Sequence, residues 1–428
     1  MPADSRRPMT IGARSPSARR PAAAVSLLLF AIVLIAFNLR GPIVTLPPVA
    51  APIRSELHLS APQLGLLTSL PVLCFGLASP LALVLIRRIG PQRSVFACLG
   101  GVVVAMLVRS SGGFALAIAS TILLGVAITV GNVVVPVLIR EGLPAPGRAL
   151  ATGIYTAGLN LGSLVTSLAT VPIAELAGWR VATAVWAVFG LLAAAVWVVV
   201  LLRVRAASAT VFPTSSSSPS PSPSSSLPAA ARNRDLADPL PWLLAAVFAA
   251  QGFSYYGVTA WLPTLLADER GLSAAVAGTS SSVFQGAALI GGLGVPLLAR
   301  RLQPWQLLLA IGLTWCVLPI GLIAAPESFL VWSTIGGIAQ GGGFSAIFGV
   351  IVRVSRDGRH STFLSAFVQG VGYVVAACAP SLLGALHEVA GTWTLPLIAV
   401  LVATSTLTVL GVTTALLSQG ARHAHEPR

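Results

Sequence analysis

Twelve apolar runs, each long enough to cross a lipid bilayer as a helix, divide this chain of 428 residues. They lie at residues 24–50, 61–86, 94–111, 114–139, 149–173, 180–202, 241–266, 273–299, 305–325, 328–352, 361–387 and 392–417. A bilayer core needs about 20 apolar residues in a helix, and only helices and closed barrels satisfy their own backbone hydrogen bonds in lipid. The runs lack the alternating pattern of barrel strands. The sequence therefore predicts an all-α membrane protein with twelve transmembrane helices.

The composition excludes several classes of enzyme. Charged residues make up 9% of the chain, whereas soluble proteins carry about 25%. All 26 basic residues are Arg, so the chain lacks the Lys that a P-loop or a pyridoxal phosphate enzyme requires. The Cys and His residues form neither a CxxC nor an HExxH motif. We therefore expect a protein that is not an enzyme and that holds no metal and no cofactor.

The distribution of Arg predicts which side of the membrane each loop faces. An even number of spans places both termini on one side, and 21 of the Arg residues fall on that side. The opposite side holds Arg54, Arg109, Arg180 and Arg270, and Arg40 lies inside the first span. Because cytoplasmic loops are enriched in Arg and Lys, we expect both termini in the cytoplasm. The loops also explain the net charge of +14 without a nucleic-acid partner.

A Ser- and Pro-rich segment separates the sixth span from the seventh. It is too polar to bury the apolar surface that an ordered domain needs, so we expect a flexible cytoplasmic linker. The predicted organisation is a tail at 1–22, a six-helix bundle at 23–203, the linker at 204–240, a second six-helix bundle at 241–417 and a tail at 418–428.

The two bundles are related by an internal repeat with a constant offset of 213 residues. The offset pairs Asn38 with Gln251, Glu56 with Glu269, Arg87-Arg88 with Arg300-Arg301, Arg140 with Arg353, and Glu175 with Glu388. Because each bundle has an even number of spans, the two halves have the same orientation, which is the parallel-repeat arrangement. A substrate site is then expected between the halves, near the middle of the membrane.

Several short segments carry a resemblance to a known family. They are Asn38-Leu39-Arg40-Gly41-Pro42, Gly65-Leu66-Leu67-Thr68-Ser69-Leu70-Pro71-Val72-Leu73-Cys74-Phe75-Gly76, Gly131-Asn132, Leu159-Asn160-Leu161-Gly162, Trp261-Leu262-Pro263 and Val368-Gln369-Gly370-Val371-Gly372-Tyr373. In these segments the chain resembles the cyanate and 2-nitroimidazole transporter family of the major facilitator superfamily. The resemblance implies the superfamily fold, in two six-helix parallel repeats. It also implies a monomeric secondary transporter of a small molecule in a bacterial inner membrane.

The loop between the second and third spans resembles the conformational gating loop of the superfamily at Arg88, Gly90 and Arg93. Arg87 stands where that pattern usually has Asp. A gating ion pair built on that Asp is therefore not expected here.

Arg40 is the one charged residue that the spans place deep in the membrane. A charge there costs about 2.5–3.5 kcal/mol on insertion scales, which makes it a functional candidate. Its planar donors suit a small delocalised anion or a planar heterocycle. The alternatives are snorkelling to the interface or a structural bond to a neighbouring carbonyl. Its repeat partner is Phe253, so the site is asymmetric.

Polar residues at a similar depth are candidates for lining the substrate site. The predicted set is Arg40, Asn38, Asn132, Asn160, Gln251, Tyr255, Gln340, Gln369 and Tyr373. Gln251 with Tyr255, and Gln369 with Tyr373, are spaced i, i+4 and are expected to share a helix face. The alternative for each amide is a hydrogen bond between helices.

The sequence thus predicts a secondary active transporter for a small anion or a weakly acidic polar compound, which is cyanate-like or nitroimidazole-like by the resemblance. The alternative is a broad-range drug or metabolite exporter that would not need Arg40. A proton is a possible second partner. His387 and Glu388 are the deepest candidates for carrying it, and the repeat partner Glu175 favours a structural role for Glu388 at a helix end.

Overall fold

A computed structural model describes residues 22–143, 145–209, 237–356 and 358–423. Most of the predicted Ser/Pro linker, nearly all of the N-terminal tail and the last five residues lie outside this part of the chain. Within it, the regular structure consists of α-helices and two short 3-10 turns.

The first half contains eight helices. They are α1 Ala22–Val44, α2 Ala50–Leu57, α3 Ala61–Leu77, α4 Ser79–Ile89, α5 Pro91–Ser111, α6 Phe114–Gly142, α7 Ala145–Ala184 and α8 Ala187–Ala209. The second half contains seven in the described residues: α9 Pro239–Arg270, α10 Ala274–Leu298, α11 Pro304–Ala324, α12 Phe329–Val354, α13 Gly358–Ala376, α14 Cys378–Ala390 and α15 Thr394–His423.

These helices confirm the predicted twelve spans. Ten segments are long and apolar enough to cross a membrane. The bent pair α3–α4 forms the second span, and the shorter apolar helix Ala187–Arg203, within α8, forms the sixth. The first span runs over Val25–Leu57, past the predicted residue 50. A 3-10 turn at Pro47–Val49 interrupts it between α1, which ends at Val44, and α2. Pro47 and Pro48 lack the backbone N–H groups that would continue the helical hydrogen bonds, which explains the break.

The second span bends by 61° between α3 and α4. Pro80 in the first turn of α4 lacks the backbone N–H that would continue the helical hydrogen bonds. The hydroxyl of Ser79 instead donates a 2.7 Å hydrogen bond to the carbonyl of Phe75. The proline therefore accounts for the break.

The two halves meet along two seams that the repeat relates to each other. In one seam α3 packs against α13 and α14, and in the other α10 packs against α7. The offset of 213 maps α3 onto α10 and the first part of α7 onto α13–α14. The helix starts correspond as well, since Ser60 caps α3 at Gln63 and Ser273 caps α10 at Val276. The sequence repeat is thus a repeat of structure.

Glycines allow the closest helix approach in the second half, between α10 and α12. A side chain at Gly291 would collide with the backbone of Ile338, and one at Gly341 with the backbone of Ala288. The small side chains at these positions therefore serve close helix packing.

Candidate functional site

Arg40 reaches across the boundary between the two halves. It lies on α1, and its side chain is partly buried. Its Nη1 donates a 2.9 Å hydrogen bond to Tyr255 Oη on α9, and its guanidinium carbon lies 4.8 Å from the centre of the Tyr255 ring. Both the hydroxyl oxygen and the ring stabilise a cation. The guanidinium therefore joins the first half to the second.

All four tyrosines of the chain surround Arg40. Tyr155 comes from α7, Tyr255 and Tyr256 from α9, and Tyr373 from α13, and each lies close enough to interact electrostatically with the guanidinium. The ring centroids of Tyr255 and Tyr256 are 4.7 Å apart, and those of Tyr256 and Tyr373 are 6.5 Å apart. We call these four residues the tyrosine cluster. It brings together side chains from both halves.

The first half adds an amide and a phenyl ring to this cluster. Tyr155 Oη donates a 3.1 Å hydrogen bond to Asn132 Oδ1 on α6. Phe75 on α3 meets the Tyr373 ring edge to face, with centroids 5.4 Å apart. The site thus presents one cation, several hydroxyls, one amide and aromatic faces.

No carboxylate balances Arg40 in the described part of the chain. Its electrostatic neighbours are the four tyrosines. The ion pairs of Arg54 with Glu388 and of Arg180 with Glu56 lie at the end of the bundle opposite the termini. A cation at this depth without an acidic partner is costly. An anion or an electron-rich ring bound at Arg40 would lower that cost.

Asn38 and Gln251 turn away from the tyrosine cluster. Asn38 is 1% exposed, and its Nδ2 donates to the carbonyl of Leu34 in its own helix at 2.8 Å. Gln251 is fully buried in the second half, where its Oε1 accepts a hydrogen bond from Trp315 Nε1 at 3.1 Å and its Nε2 donates to the carbonyl of Gln340 at 3.2 Å. The bonds of Gln251 are the alternative that the sequence leaves open, namely a hydrogen bond between helices, whereas the bond of Asn38 stays within its own helix.

Gln251 and Tyr255 lie one turn apart on α9, but their side chains have different partners, because Gln251 bonds to helices of its own half while Tyr255 bonds to Arg40. Residues four apart differ by about 40° around a helix axis. Long side chains can diverge from there toward different partners. The local hydrogen-bond partners decide the outcome.

The remaining predicted amides occupy three different places. Gln340 is 2% exposed inside the second half. Gln369 lies one turn before Tyr373, and its Nε2 donates to the carbonyl of Ser365 at 3.1 Å. Asn160 on α7 faces the seam with α10, where its Nδ2 is 4.0 Å from a Cβ built on Gly292.

The predicted gating loop forms a tight turn between α4 and α5. Gly90 has φ +83°, a conformation that glycine adopts without strain. Its carbonyl accepts a 2.8 Å hydrogen bond from the Ser94 hydroxyl. Arg87, Arg88 and Arg93 are exposed around the turn.

Arg109, which the sequence assigns to a loop on the outer side, is a second buried cation. Arg109 is 2% exposed in the last turn of α5. It donates to the carbonyl of Pro42 at 3.1 Å and to Thr45 Oγ1 at 2.9 Å. Carbonyls at a helix end lack partners within the helix and attract cations. Arg109 thus binds the end of α1, a few residues after Arg40, and does not face an aqueous loop.

Tyr155 and Tyr256 are the site residues that the sequence-based set omits. None of the segments that resemble the transporter family includes Tyr155, although Asn160, five residues later, lies in one of them. The available signal is the scarcity of tyrosine, since the four tyrosines all fall inside apolar runs.

Comparisons with known proteins give consistent matches. The model of the Major Facilitator Superfamily matches residues 27–326. The chain is 30% identical over 390 residues to the 2-nitroimidazole transporter of Escherichia coli (strain K12), covering 90% of this chain and 94% of that protein. It is 26% identical over 369 residues to the cyanate transport protein CynX of the same organism, covering 86% and 91%.

Among solved structures, the fold is similar to a bacterial homolog of the human lysosomal transporter Spinster in an inward-facing and occupied conformation. The TM-score is 0.69 at 17% sequence identity, covering 94% of this chain and 98% of that chain.

Proposed function

Since this chain belongs to the Major Facilitator Superfamily, we propose that it is a secondary transporter that moves a small anion or a weakly acidic planar compound by alternating access, with Arg40 as the anchor. The chain is a multi-pass membrane transporter of the superfamily and not an enzyme. The resemblance to the cyanate and 2-nitroimidazole transporters is confirmed.

The observation that carries the proposal is the environment of Arg40. Its guanidinium lies between the halves, bonds to Tyr255 of the second half and has no acidic partner in the described residues. A cation in that position favours a negative ligand. Alternating access moves one half against the other around such a site. The halves that we propose to move are 23–203 and 241–417.

The tyrosine cluster supports a planar ligand. Aromatic rings prefer stacked or edge-to-face contacts with other rings, and tyrosine hydroxyls both donate and accept hydrogen bonds. Asn132 adds an amide through its bond to Tyr155. We therefore assign ligand binding to Arg40, Asn132 and the tyrosine cluster, whereas Asn38, Gln251 and Gln340 stabilise the bundles. The names of the two relatives, which concern cyanate and 2-nitroimidazole, fall within this chemical class.

The Arg distribution supports an orientation with both termini in the cytoplasm of a bacterial inner membrane. Loops on the terminal side carry 21 Arg residues, and Arg109 leaves the count of the opposite side because it is buried at a helix end. Positive residues favour the cytoplasmic side. In this orientation the bonds between the halves at Glu388 and Arg54 close the outer end.

A ligand panel on purified full-length protein tests the proposal against a broad-range exporter. Cyanate, 2-nitroimidazole, small carboxylates and apolar organic cations are compared by thermal stabilisation, since ligands that bind the folded state raise its melting temperature. We expect stabilisation by anions or acidic planar compounds in the wild type and its loss in Arg40→Gln. Stabilisation by apolar cations, unchanged in Arg40→Gln, would favour the exporter instead.

A further inference from the structure

A groove of about 590 Å³ runs along the second half between α9, α13 and α15. Its floor consists of buried alanines of α9, namely Ala245, Ala249 and Ala250. Val375 of α13 and Val402 of α15 line its sides and are exposed. None of the tyrosines of the cluster lines it, and α15 packs mainly against helices of its own half. The groove is therefore apolar and opens on the surface that faces the lipid.

The repeat allows this groove to be compared with the first half. In the sixth and twelfth spans the offset is 214 rather than 213, since it then pairs Trp179 with Trp393. Each indole donates a hydrogen bond to a carboxylate near the end of the first span of its own half, which is Glu56 for Trp179 and Asp268 for Trp393. One extra residue before Trp393 explains the change of offset.

Aromatic rings occupy the equivalent position in the first half. Phe37 of α1 stacks on Phe189 of α8 with ring centroids 4.5 Å apart. The centroid of Trp186 lies 6.2 Å from that of Phe37 and 5.8 Å from that of Phe189. The residues equivalent to the two phenylalanines are Ala250 and Ala403, and both line the groove. The second half therefore has a groove where the first half packs its own rings.

The fifth and eleventh spans differ in the same region. Val371 and Val375, which line the groove, correspond to Gly158 and Gly162 in the first half. A Cβ at Gly162 would collide with the backbone of Phe37, so α7 approaches α1 more closely than valine permits. Differences on three helices, each the reverse of the first-half packing, thus produce the groove.

The groove has the depth of one lipid leaflet. On α9 it extends from Trp242 to Phe253, and eleven residues of helix rise about 16 Å. One half of the hydrocarbon core is about 15 Å thick. Trp242 is exposed and meets Phe367 edge to face, as is typical of aromatic residues at the membrane interface. Phe253 is the repeat partner of Arg40. The groove therefore runs from the interface to the middle of the membrane, which suits a single acyl chain.

The charges at the Trp242 end complement a phosphate group. The segments 231–240 and 351–360, which lead into α9 and α13, carry five Arg and three Asp. Of these, Arg353 and Arg356 are exposed. Both helices also begin at this end, and helix N-termini favour anions. Clusters of Arg beside membrane spans attract anionic lipids.

We propose that the groove binds one acyl chain of an anionic phospholipid whose phosphate lies at the Trp242 end. In the proposed orientation this lipid belongs to the inner leaflet. Its chain takes the position that Phe37 and Phe189 occupy in the first half. Lipid tails are as apolar as the groove, so binding depends on van der Waals packing along the helices and on the phosphate rather than on the hydrophobic effect. The site is separate from Arg40 and from the transported substrate.

Photocrosslinking maps the acyl chain on the wild-type protein. Full-length protein is placed in phosphatidylcholine nanodiscs with a small fraction of phosphatidylglycerol that carries a diazirine in one acyl chain. Mass spectrometry then identifies the labelled residues after irradiation. We expect labels concentrated at 245–253, 371–375 and 399–406, compared with the equivalent segments 32–40, 158–162 and 185–192 of the first half. Equal labelling of the two halves would overturn the proposal.

Variants that restore the rings of the first half test the shape of the site. Ala250→Phe combined with Ala403→Phe should lose the concentrated labelling and melt in phospholipid-free detergent no lower than the wild type. The control Val409→Phe, at an exposed position of α15 outside the groove, should keep the labelling. If the double variant does not fold, Ala403→Phe alone serves as the milder change. Unchanged labelling in a folded ring variant would contradict the proposed site.

Native mass spectrometry distinguishes the lipid from other occupants. Purified protein is mixed with equal amounts of phosphatidylglycerol and phosphatidylcholine. We expect one retained phosphatidylglycerol per wild-type monomer and its loss in the ring variant. Equal retention of phosphatidylcholine would overturn the assignment of an anionic lipid. A dimer that the ring variant dissociates would assign the groove to a second copy of the chain instead. Because transport is not measured, these results are independent of whether Arg40 anchors the substrate.

Discussion

The Arg40 guanidinium on α1 and the Tyr255 hydroxyl on α9 form a 2.9 Å hydrogen bond that links the two halves of the chain at the candidate site. Tyr255 is 1% exposed and cannot turn toward water. The bond therefore fixes the direction in which Arg40 presents its other donors. A ligand bound at Arg40 would either replace this hydrogen bond or add further bonds beside it.

Removing the Tyr255 hydroxyl should weaken substrate binding moderately. Tyr255→Phe keeps the ring against Tyr256 but leaves Arg40 without its acceptor. A hydrogen bond of this kind contributes about 0.5–1.5 kcal/mol, so we expect the half-saturating concentration for transport to rise about two- to tenfold. The control is Tyr255→Phe made in an Arg40→Gln background, where the bond between the two side chains is already absent. An equal effect of Tyr255→Phe in both backgrounds would show that the hydroxyl bond does not orient Arg40.

Gln251 should matter for stability rather than for binding. Gln251→Leu would leave the indole N–H of Trp315 and the carbonyl of Gln340 without their present partners in a fully buried region. Each unsatisfied group costs about 1–3 kcal/mol. We expect a lower melting temperature of the purified protein, with the ligand affinity of the folded fraction unchanged. A variant with normal stability and lost binding would place Gln251 in the substrate site.

Close packing between α10 and α12 should make Gly291 sensitive to substitution by alanine, whereas the nearby Gly294 should tolerate it. A Cβ at Gly291 meets the backbone of Ile338, whereas a Cβ at Gly294 meets nothing within 4 Å. Overpacking costs about 1–3 kcal/mol, and alanine in an open helical position gains about 0.5–1 kcal/mol over glycine. Gly291→Ala should therefore lower the melting temperature and Gly294→Ala should preserve or raise it. Equal melting temperatures would contradict the packing.

The fold could be predicted from the sequence because the hydropathy pattern extends over whole membrane spans. The apolar runs, the Arg-bearing loops and the offset of 213 all constrain long segments, and the structure agrees with them. Breaks within spans were less predictable, since the interruption of the first span between α1 and α2 depends on local prolines.

The site was predictable only in part because it depends on individual partners. Arg40 stood out through the cost of burying a charge. The partners of Gln251 could not be predicted, because Trp315 and the backbone of Gln340, which satisfy its amide, are distant in sequence. Arg109 was counted in a loop, since nothing in the sequence shows that the end of α1 supplies acceptors for it.

Transport by Arg40→Gln in proteoliposomes tests the anchor most directly. The substrate is the compound that best stabilises the wild type, and Arg40→Lys serves as the variant that keeps the charge. Loss of a charged hydrogen bond of about 1.5–3 kcal/mol predicts that transport efficiency falls about ten- to a hundredfold in Arg40→Gln, with partial recovery in Arg40→Lys. Unchanged transport of that compound by Arg40→Gln would contradict the assignment of Arg40 as the anchor.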